Sequence, residues 1–128
     1  MKHTLFFALL PLLLFACQSS FSGSQPMLRT ELYFGLTWPD GRLITQTQWQ
    51  TFLDTCISPR FPAGLSVLSA QGQWQMEDGE VVQEGSRLVV LLHDPSRKAA
   101  LDTIVDAYKA RFNQEAVLRV SSRARVGF

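Results

Sequence analysis

His93 is the residue best placed to do chemistry in this chain. It follows the apolar run at residues 88–92 and stands just before Asp94 and Pro95, where a strand is predicted to end and a helix to begin. An imidazole in such a place suits general acid or base catalysis, because histidine titrates near neutral pH. The alternative is a histidine that is hydrogen-bonded to a neighbouring loop. We favour this alternative, since the sequence marks no second catalytic group beside His93.

Tyr33, Gln71 and Arg119 form a second candidate group, predicted to meet on one face of a β-sheet. Arg119 would hold the acidic or carbonyl group of a small ligand. The same three residues would also suit the polar part of a dimer interface, and we favour the interface. Both interpretations depend on strand register, because a shift of one residue moves every side chain of a strand to the opposite face.

The sequence does not indicate a metal or cofactor site. Its other histidine, His3, lies in an N-terminal leader, and no cluster of Cys, Asp or Glu has the spacing of metal ligands. Glycine-rich phosphate loops and nucleophile elbows are also missing. Cys56 lies on the apolar stripe of a predicted helix, which favours a buried and unreactive thiol. We therefore expect no metal and no cofactor, and we favour a non-enzymatic protein over an enzyme.

The N-terminal segment has the features of a secretory leader. Basic Lys2 precedes an apolar run at residues 5–15, which Pro11 interrupts. A helix needs about 20 apolar residues to cross a bilayer, so this shorter run indicates a cleaved signal and not a transmembrane span. We expect residues 1–16 to be removed.

Cys17 is the predicted lipidation site. Small Ala16 precedes it, and the pattern resembles the bacterial lipobox, whose cysteine is acylated and becomes the first residue of the mature protein. Phe15 departs from that pattern, because a smaller residue usually stands there, and an ordinary signal that ends near a cysteine is the alternative. Two or more acyl chains hold a protein firmly at a membrane. We therefore expect a permanent anchor on the periplasmic side of the cell envelope.

The residues after Cys17 are predicted to form a tether. Residues 17–29 are rich in Ser and Gly and lack periodicity, which is typical of a flexible linker, and one domain follows at residues 30–128. Ser19 stands where an aspartate would retain a lipoprotein in the inner membrane; by resemblance to enterobacterial sorting, it favours the outer membrane. With Lys2 removed, eleven Lys and Arg balance eleven Asp and Glu. This balance gives no basic surface for nucleic acid.

Periodicity predicts the elements of the domain. Alternation at residues 31–37 indicates a strand with Leu32 and Phe34 inward. Thr45 and Gln48 form a capping box that opens a helix with an apolar stripe, and a second amphipathic helix begins after Asp94. The remaining strands are predicted at residues 65–76, 81–83, 88–92 and 116–121, with turns at 78–79 and 84–86 and an extension at 123–128.

This order predicts an α+β class protein with the ferredoxin-like βαββαβ fold. An antiparallel four-stranded sheet would carry two helices on one face, with room for an extra hairpin. Leu118 and Val120 are predicted to point inward. The uncovered face, which would also expose Val89 and Leu91, is predicted to carry Tyr33, Val67, Gln71, Gln73, Arg119 and Ser121.

An uncovered sheet face needs a cover, and a second copy of the chain is the simplest one. We therefore predict a homodimer, packed sheet to sheet, as the basis of a binding or interaction module; the sequence does not identify a small-molecule or protein partner. The alternative is a small enzyme built like dimeric α/β-barrel proteins. Tyr33, His93 and Arg119 would then act on a small molecule in a cavity on the open sheet face.

Five segments of the domain together resemble a bacterial family of small lipoproteins known as domain of unknown function 3574. The resemblance covers residues 29–128, implies a compact secreted α+β domain and transfers no catalytic residue. The segments are Thr30–Leu36, Trp49–Leu53, Ser58–Leu65, Gln71–Trp74 and Tyr108–Glu115.

Overall fold

The computed structural model describes residues 23–127, so the predicted signal peptide and Cys17 lie outside the described residues. Four strands, β1 at residues 25–35, β2 at 66–75, β3 at 81–93 and β4 at 118–126, form one antiparallel sheet in the order β2-β3-β1-β4. The predicted α+β, ferredoxin-like fold is confirmed. Within residues 23–127, no helix combines the length and apolar character needed to cross a bilayer. The elements are β1 (Gln25–Gly35), α1 (Gln46–Phe52), β2 (Ser66–Gln75), β3 (Val81–His93), α2 (Lys98–Phe112) and β4 (Leu118–Val126).

Strand β1 begins at Gln25, so residues 25–29 of the predicted tether belong to the strand. They are held by β4, where Gln25 pairs with Val126 and Met27 pairs with Ala124. The pairing partner lies at the far end of the chain. Local composition therefore gave no sign of this part of the strand.

Helix α1 opens with the predicted capping box. Thr45 Oγ1 accepts a hydrogen bond from the Gln48 N–H at 3.2 Å, and Gln48 Oε1 accepts one from the Thr45 N–H at 2.9 Å. After α1 the chain widens into a π-helical turn at Leu53–Ile57 and then closes with a 3-10 turn at Ser58–Arg60. The capping box satisfies backbone N–H groups that have no partner inside the helix.

Strands β2 and β3 form one long hairpin, and the turn predicted at residues 84–86 is wrong. Strand β3 runs without interruption through Glu84 and Gly85, which pair with Gly72 and Gln71 of β2. Pairing along a neighbouring strand outweighs the local turn preference of these residues. The two short strands predicted at 81–83 and 88–92 are therefore a single strand, and no extra hairpin forms within the described residues.

The register decides which face of each strand the helices cover. Leu32 of β1 lies opposite Val89 of β3, and both side chains are fully buried beneath the helices. Val67 of β2 lies opposite Val89, and Arg119 of β4 lies opposite Leu32. Paired residues point to the same side of a sheet, so Val67 and Arg119 are on the helix-covered face.

The prediction of which side chains lie on the open face is therefore wrong for β2, β3 and β4. Of the residues predicted for that face, only Tyr33 lies there. Alternation separates the two sides of a strand but does not say which side the helices cover. In β4 the apolar Leu118 and Val120 lie on the open side, and the polar Arg119 lies on the helix-covered side. The residues that lie on the helix-covered face instead are Val67, Gln71, Gln73, Val89, Leu91, Arg119 and Ser121. The residues predicted to point inward that lie on the open face are Leu118 and Val120.

Phe34 of β1 is at the centre of the core. Its ring lies 5.3 Å from that of Trp49, 6.0 Å from that of Phe52 and 4.7 Å from that of Tyr108, measured between centroids. Tyr108 belongs to α2 and the other two to α1, so this cluster joins both helices to the sheet. The Tyr108 hydroxyl donates a hydrogen bond to the Gly35 carbonyl at 2.6 Å. Burial raises the pKa of the Tyr108 phenol, and the Glu84 carboxylate raises it further.

We expect Tyr108→Phe to lower the free energy of unfolding by about 1–2 kcal/mol, because the half-buried Gly35 carbonyl loses this donor while the ring packing is kept. Urea unfolding followed by tryptophan fluorescence measures the change. A variant as stable as the parent would mean that this hydrogen bond contributes nothing to the core.

Candidate functional site

The three residues of the predicted ligand group do not meet. Tyr33 lies on the open face, while Gln71 and Arg119 lie on the helix-covered face. Gln71 and Arg119 also belong to the two edge strands, β2 and β4, which are about 14 Å apart across the sheet. Gln71 Nε2 donates instead to Gln83 Oε1 at 3.3 Å. The predicted Tyr33–Gln71–Arg119 group is therefore wrong, because the register separates its members.

Arg119 and His93 are brought together on the helix-covered face. They line a recess of about 250 Å³ between the sheet and the start of α2, together with Leu28, Thr30, Pro95, Lys98, Leu101 and Ser121. Tyr33 is on the far side of the sheet and has no access to this recess. The predicted Tyr33–His93–Arg119 group is thus reduced to two of its members. We call this cavity the His93 recess.

A chain of hydrogen bonds forms the polar wall of the His93 recess. Ser121 Oγ lies 2.8 Å from Thr30 Oγ1, which lies 2.8 Å from His93 Nε2. On the other side of the ring, His93 Nδ1 lies 2.8 Å from the carbonyl oxygen of Asp94. Among the described residues, Thr30 and His93 are the buried polar side chains. The chain of bonds offsets the cost of burying them.

The Asp94 carbonyl fixes the direction of this chain. A carbonyl oxygen can only accept, so His93 Nδ1 carries the proton and Nε2 of the neutral ring accepts from the Thr30 hydroxyl. Thr30 Oγ1 then accepts the proton of Ser121. In this state the lone pairs of Ser121 Oγ, and not its proton, are left for the recess. The predicted loop hydrogen bond of His93 is therefore present, with Asp94 as the acceptor.

The mouth of the His93 recess is charged. Asp102 of α2 accepts from Lys98 Nζ at 2.6 Å and from Arg119 Nη1 at 2.8 Å. These two hydrogen bonds, that of Lys98 first, lower the pKa of the Asp102 carboxyl. Two cations therefore share one carboxylate at the mouth. The arrangement can attract a small anion.

Sequence reasoning missed Thr30 and Lys98 as members of the recess. Thr30 occupies the same face of β1 as Leu32 and Phe34 and is fully buried. A hydroxyl among apolar residues of one strand face was the signal that could have identified it. Lys98 carried no such signal, because it begins α2 as an ordinary exposed residue.

The open face carries an unbroken apolar row, with one residue from each strand. Leu68, Leu88, Tyr33 and Leu118 lie side by side across β2, β3, β1 and β4. We call these four residues the open-face row. Leu68 is 48% exposed and Leu118 is 60% exposed, although both are large apolar side chains.

The polar groups beside the open-face row are paired with one another. Arg29 and Glu31 form an ion pair at 2.7 Å, and the Tyr33 hydroxyl donates to Glu31 Oε2 at 2.7 Å. This hydrogen bond, together with partial desolvation, raises the pKa of the Tyr33 phenol. Arg29 and Glu31 therefore balance each other beside the row, and Glu84, over Gly35 on the same face, adds a carboxylate that accepts from the Thr37 N–H at 3.1 Å.

The Cys56 thiol and a metal site are two further candidates for chemistry. Cys56 is half-buried, and this burial raises the pKa of its thiol, which keeps it protonated. Arg60 Nη1 donates to the Cys56 carbonyl at 2.6 Å. No group of three or more His, Cys, Asp or Glu side chains within residues 23–127 is placed to hold a metal ion.

A second cavity, a groove of about 680 Å³, lies at one end of the sheet. Its walls come from the tip of the β2–β3 hairpin, including Trp74 and Met76, and from the segment after α2. Gln114 Nε2 in this wall donates to the carbonyls of Thr37 and Phe112 at 2.9 and 3.1 Å. None of the residues that line the groove is a buried ionisable side chain, whereas His93 is one in the His93 recess.

Comparisons with known proteins identify a family and confirm the fold. A family model described as a protein of unknown function (DUF3574) matches residues 29–128. No curated protein matches the chain in sequence.

Solved structures share the fold at low sequence identity. A phage SAM lyase in complex with S-methyl-5'-thioadenosine is 12% identical with a TM-score of 0.58, covering 80% of this chain and 90% of the lyase. A phage SAM lyase in the apo state is 17% identical with a TM-score of 0.52, covering 85% and 94%. CutA from Synechococcus elongatus is 12% identical with a TM-score of 0.51, covering 79% and 82%. At these identities the likeness is one of fold alone.

We expect the neutral His93 ring to carry its proton on Nδ1, because the Asp94 carbonyl can only accept and Thr30 supplies the proton to Nε2. Long-range ¹H–¹⁵N NMR at pH 8 distinguishes the two tautomers, and a His93→Gln variant identifies the signals. A ring protonated on Nε2 would contradict the hydrogen-bond chain.

Proposed function

The chain belongs to the DUF3574 family of proteins of unknown function over residues 29–128, and from its own geometry we propose a lipid-anchored cell-envelope protein that dimerises through its open sheet face. In this proposal the dimer is a non-enzymatic interaction module on the periplasmic side of the outer membrane. The observation that carries the dimer is the open-face row. The observation that carries the anchor is the leader at residues 1–16, which is followed directly by Cys17.

The size of the open face suits a dimer. Strand β1 pairs with β3 over eight residues, and four strands make up the sheet, so the face measures about 27 by 19 Å, or about 500 Å² in projection. The accessible area of a corrugated surface exceeds its projection, and a stable interface needs about 800 Å² on each partner. Monomeric proteins rarely expose an apolar patch of several hundred Å².

A second copy is the partner that best fits this face. An isologous interface brings the same patch together from both chains, which requires a surface free of unbalanced charge. The open face meets this requirement beside the apolar row, where Arg29 and Glu31 neutralise each other, and the Glu84 carboxylate lies towards one end of the face, over Gly35. A strongly charged partner would find no complementary potential here.

The dimer is tested with Leu68→Glu and Leu118→Glu, each of which places a carboxylate at one end of the open-face row, within the proposed interface. Like charges facing one another across an interface cost several kcal/mol, so each variant should weaken dimerisation at least about hundredfold. Multi-angle light scattering after size exclusion measures the mass. The chain is begun at Gln18 so that the apolar residues 5–15 cannot cover the face in place of a second copy.

The matched control is Val67→Glu, which lies next to Leu68 in β2 and is also exposed, but on the opposite face. It should leave the dimer intact. A monomeric parent chain, or a Val67→Glu variant that dissociates as fully as Leu68→Glu, would contradict the proposed dimer.

The lipid anchor is tested with Cys17→Ser in the full-length chain. We expect the parent to be labelled by a fatty-acid analogue and to fractionate with membranes, and the variant to lose the label, because the thiol is the acceptor of the lipid. Cys56→Ser, the other cysteine position, is the control and should keep the label. Mass spectrometry that finds an intact Met1 and no lipid on the parent protein would contradict the anchor.

A small enzyme is the second candidate function. The observation that favours it is the meeting of His93, Ser121 and Arg119 in one recess, and the phage lyase demonstrates that the same fold can support an enzyme. In this alternative His93 would act as a base through Thr30, and Arg119 would hold the substrate. Tyr33 takes no part, because it lies on the other face. Steady turnover of a substrate, lost in His93→Ala, would replace the non-enzymatic proposal with this one.

A further inference from the structure

We propose that the His93 recess binds a short-chain carboxylate and that binding takes up a proton on His93. The recess lies on the opposite side of the sheet from the open-face row, so this site does not depend on the dimer or on the anchor. Three features of the recess favour a carboxylate: the volume and walls of the cavity, the charge at its mouth and the direction of its hydroxyl chain.

The size and walls of the recess suit a small organic acid. Its volume is about 250 Å³. A water molecule occupies about 30 Å³ in the liquid, so the recess has room for about eight waters, or for a chain of four or five carbons. Leu28, Pro95 and Leu101 supply apolar walls for such a chain. Bare phosphate would leave these walls without a partner.

The mouth of the recess offers donors for a carboxylate. Arg119 uses one N–H of Nη1 on Asp102, and Lys98 uses one of its three N–H groups on the same carboxylate. Each cation therefore has further N–H groups for a second anion. A carboxylate bound between Lys98 and Arg119 would add a second negative charge beside Asp102, so that two cations and two anions balance at the mouth.

The surroundings of His93 contain more cations than carboxylates. Lys98 of α2 and Arg119 of β4 line the same recess, and Arg97 lines a neighbouring cavity with His93. Arg123 of β4 shares the helix-covered face, opposite Leu28.

The carboxylates near His93 are those of Asp94 and Asp102. Asp94 turns its carboxylate to the Ser96 N–H at 2.9 Å, and Asp102 is shared by Lys98 and Arg119. Phe61 packs edge-on against the imidazole, with ring centroids 5.9 Å apart, and adds no charge. A bound anion would therefore favour the charged imidazolium, because it places a negative charge close to the ring.

Protonation of His93 would reverse the hydroxyl chain. A charged imidazolium donates from both nitrogens, so Thr30 Oγ1 must accept from Nε2 and donate its own proton to Ser121 Oγ. Ser121 then accepts from Thr30 and is free to donate its proton into the recess. The same hydroxyl thus presents lone pairs when His93 is neutral and a donor when His93 is charged. A carboxylate is an acceptor, so it binds to the state in which His93 is charged and Ser121 donates.

The test is isothermal titration calorimetry of the full-length chain in detergent with sodium pentanoate. The titration is run at pH 6 and pH 8, in buffers of different ionisation enthalpy. Pentanoate is ionised at both values, since carboxyls titrate near pH 4. We expect tighter binding at pH 6, and at pH 8 an uptake of up to one proton per ligand. Equal affinity at both pH values with no proton uptake, or no binding at all, would overturn the proposal.

Substitutions in the recess, with matched controls outside it, test whether pentanoate binds there. Arg119→Gln should weaken binding by about ten- to hundredfold through the loss of a charged hydrogen bond, while Lys98 keeps Asp102 paired. Lys98→Gln serves the same purpose if the first variant does not fold. Ser121→Ala should abolish most of the pH dependence. Arg125→Gln and Ser122→Ala, on the same strand but away from the recess, should bind as the parent does.

Two ligand controls identify the chemistry that is recognised. Pentanamide has the same body without the charge and should not bind, because it cannot neutralise Lys98 and Arg119. Inorganic phosphate should bind more weakly than pentanoate, since it cannot fill the apolar walls. Tighter binding of phosphate, or equal binding of pentanamide, would contradict a carboxylate site.

Discussion

The packing of both helices on one face of the sheet, around Phe34, is the constraint on which the rest of the structure depends. The Phe34 ring contacts aromatic rings of α1 and α2 together, so the helices cannot leave that face without opening the core. Each strand has only two faces. Once the helices occupy one of them, every residue of the sheet is either beneath a helix or on the open side.

This division gives the two faces different chemistry. The buried part of the helix-covered face is apolar except for Thr30 and His93, and there the sheet forms a recess with a hydrogen-bonded wall and a charged mouth. The open face is apolar along one row and electrically balanced beside it. The first kind of surface suits a small polar ligand and the second suits a protein surface like itself. A dimer formed through the open face would leave the recess accessible.

The two proposed roles are compatible because the sheet separates them. Residues that would associate two chains, such as Leu68 and Leu118, share no side of the sheet with His93 or Arg119. A lipid attached at Cys17 would hold the domain through a segment that enters the sheet at Gln25, next to the end of β4. The phage lyase and CutA share this fold, so the same fold occurs in unlike proteins.

The sequence by itself determined the order and type of the elements, the capping box at Thr45, the inward side of β1 and the ferredoxin-like class, because these follow from local periodicity and capping. Tertiary structure decided the inward sides of β2, β3 and β4, the continuity of β3 through residues 84–86 and the start of β1 at Gln25. The physical reason is that strand register is a relation between distant segments: alternation separates the two sides of β2 and β4, and only their pairing with β3 and β1 decides which side the helices cover. The same relation placed Arg119 beside His93 and put Tyr33 on the far side of the sheet.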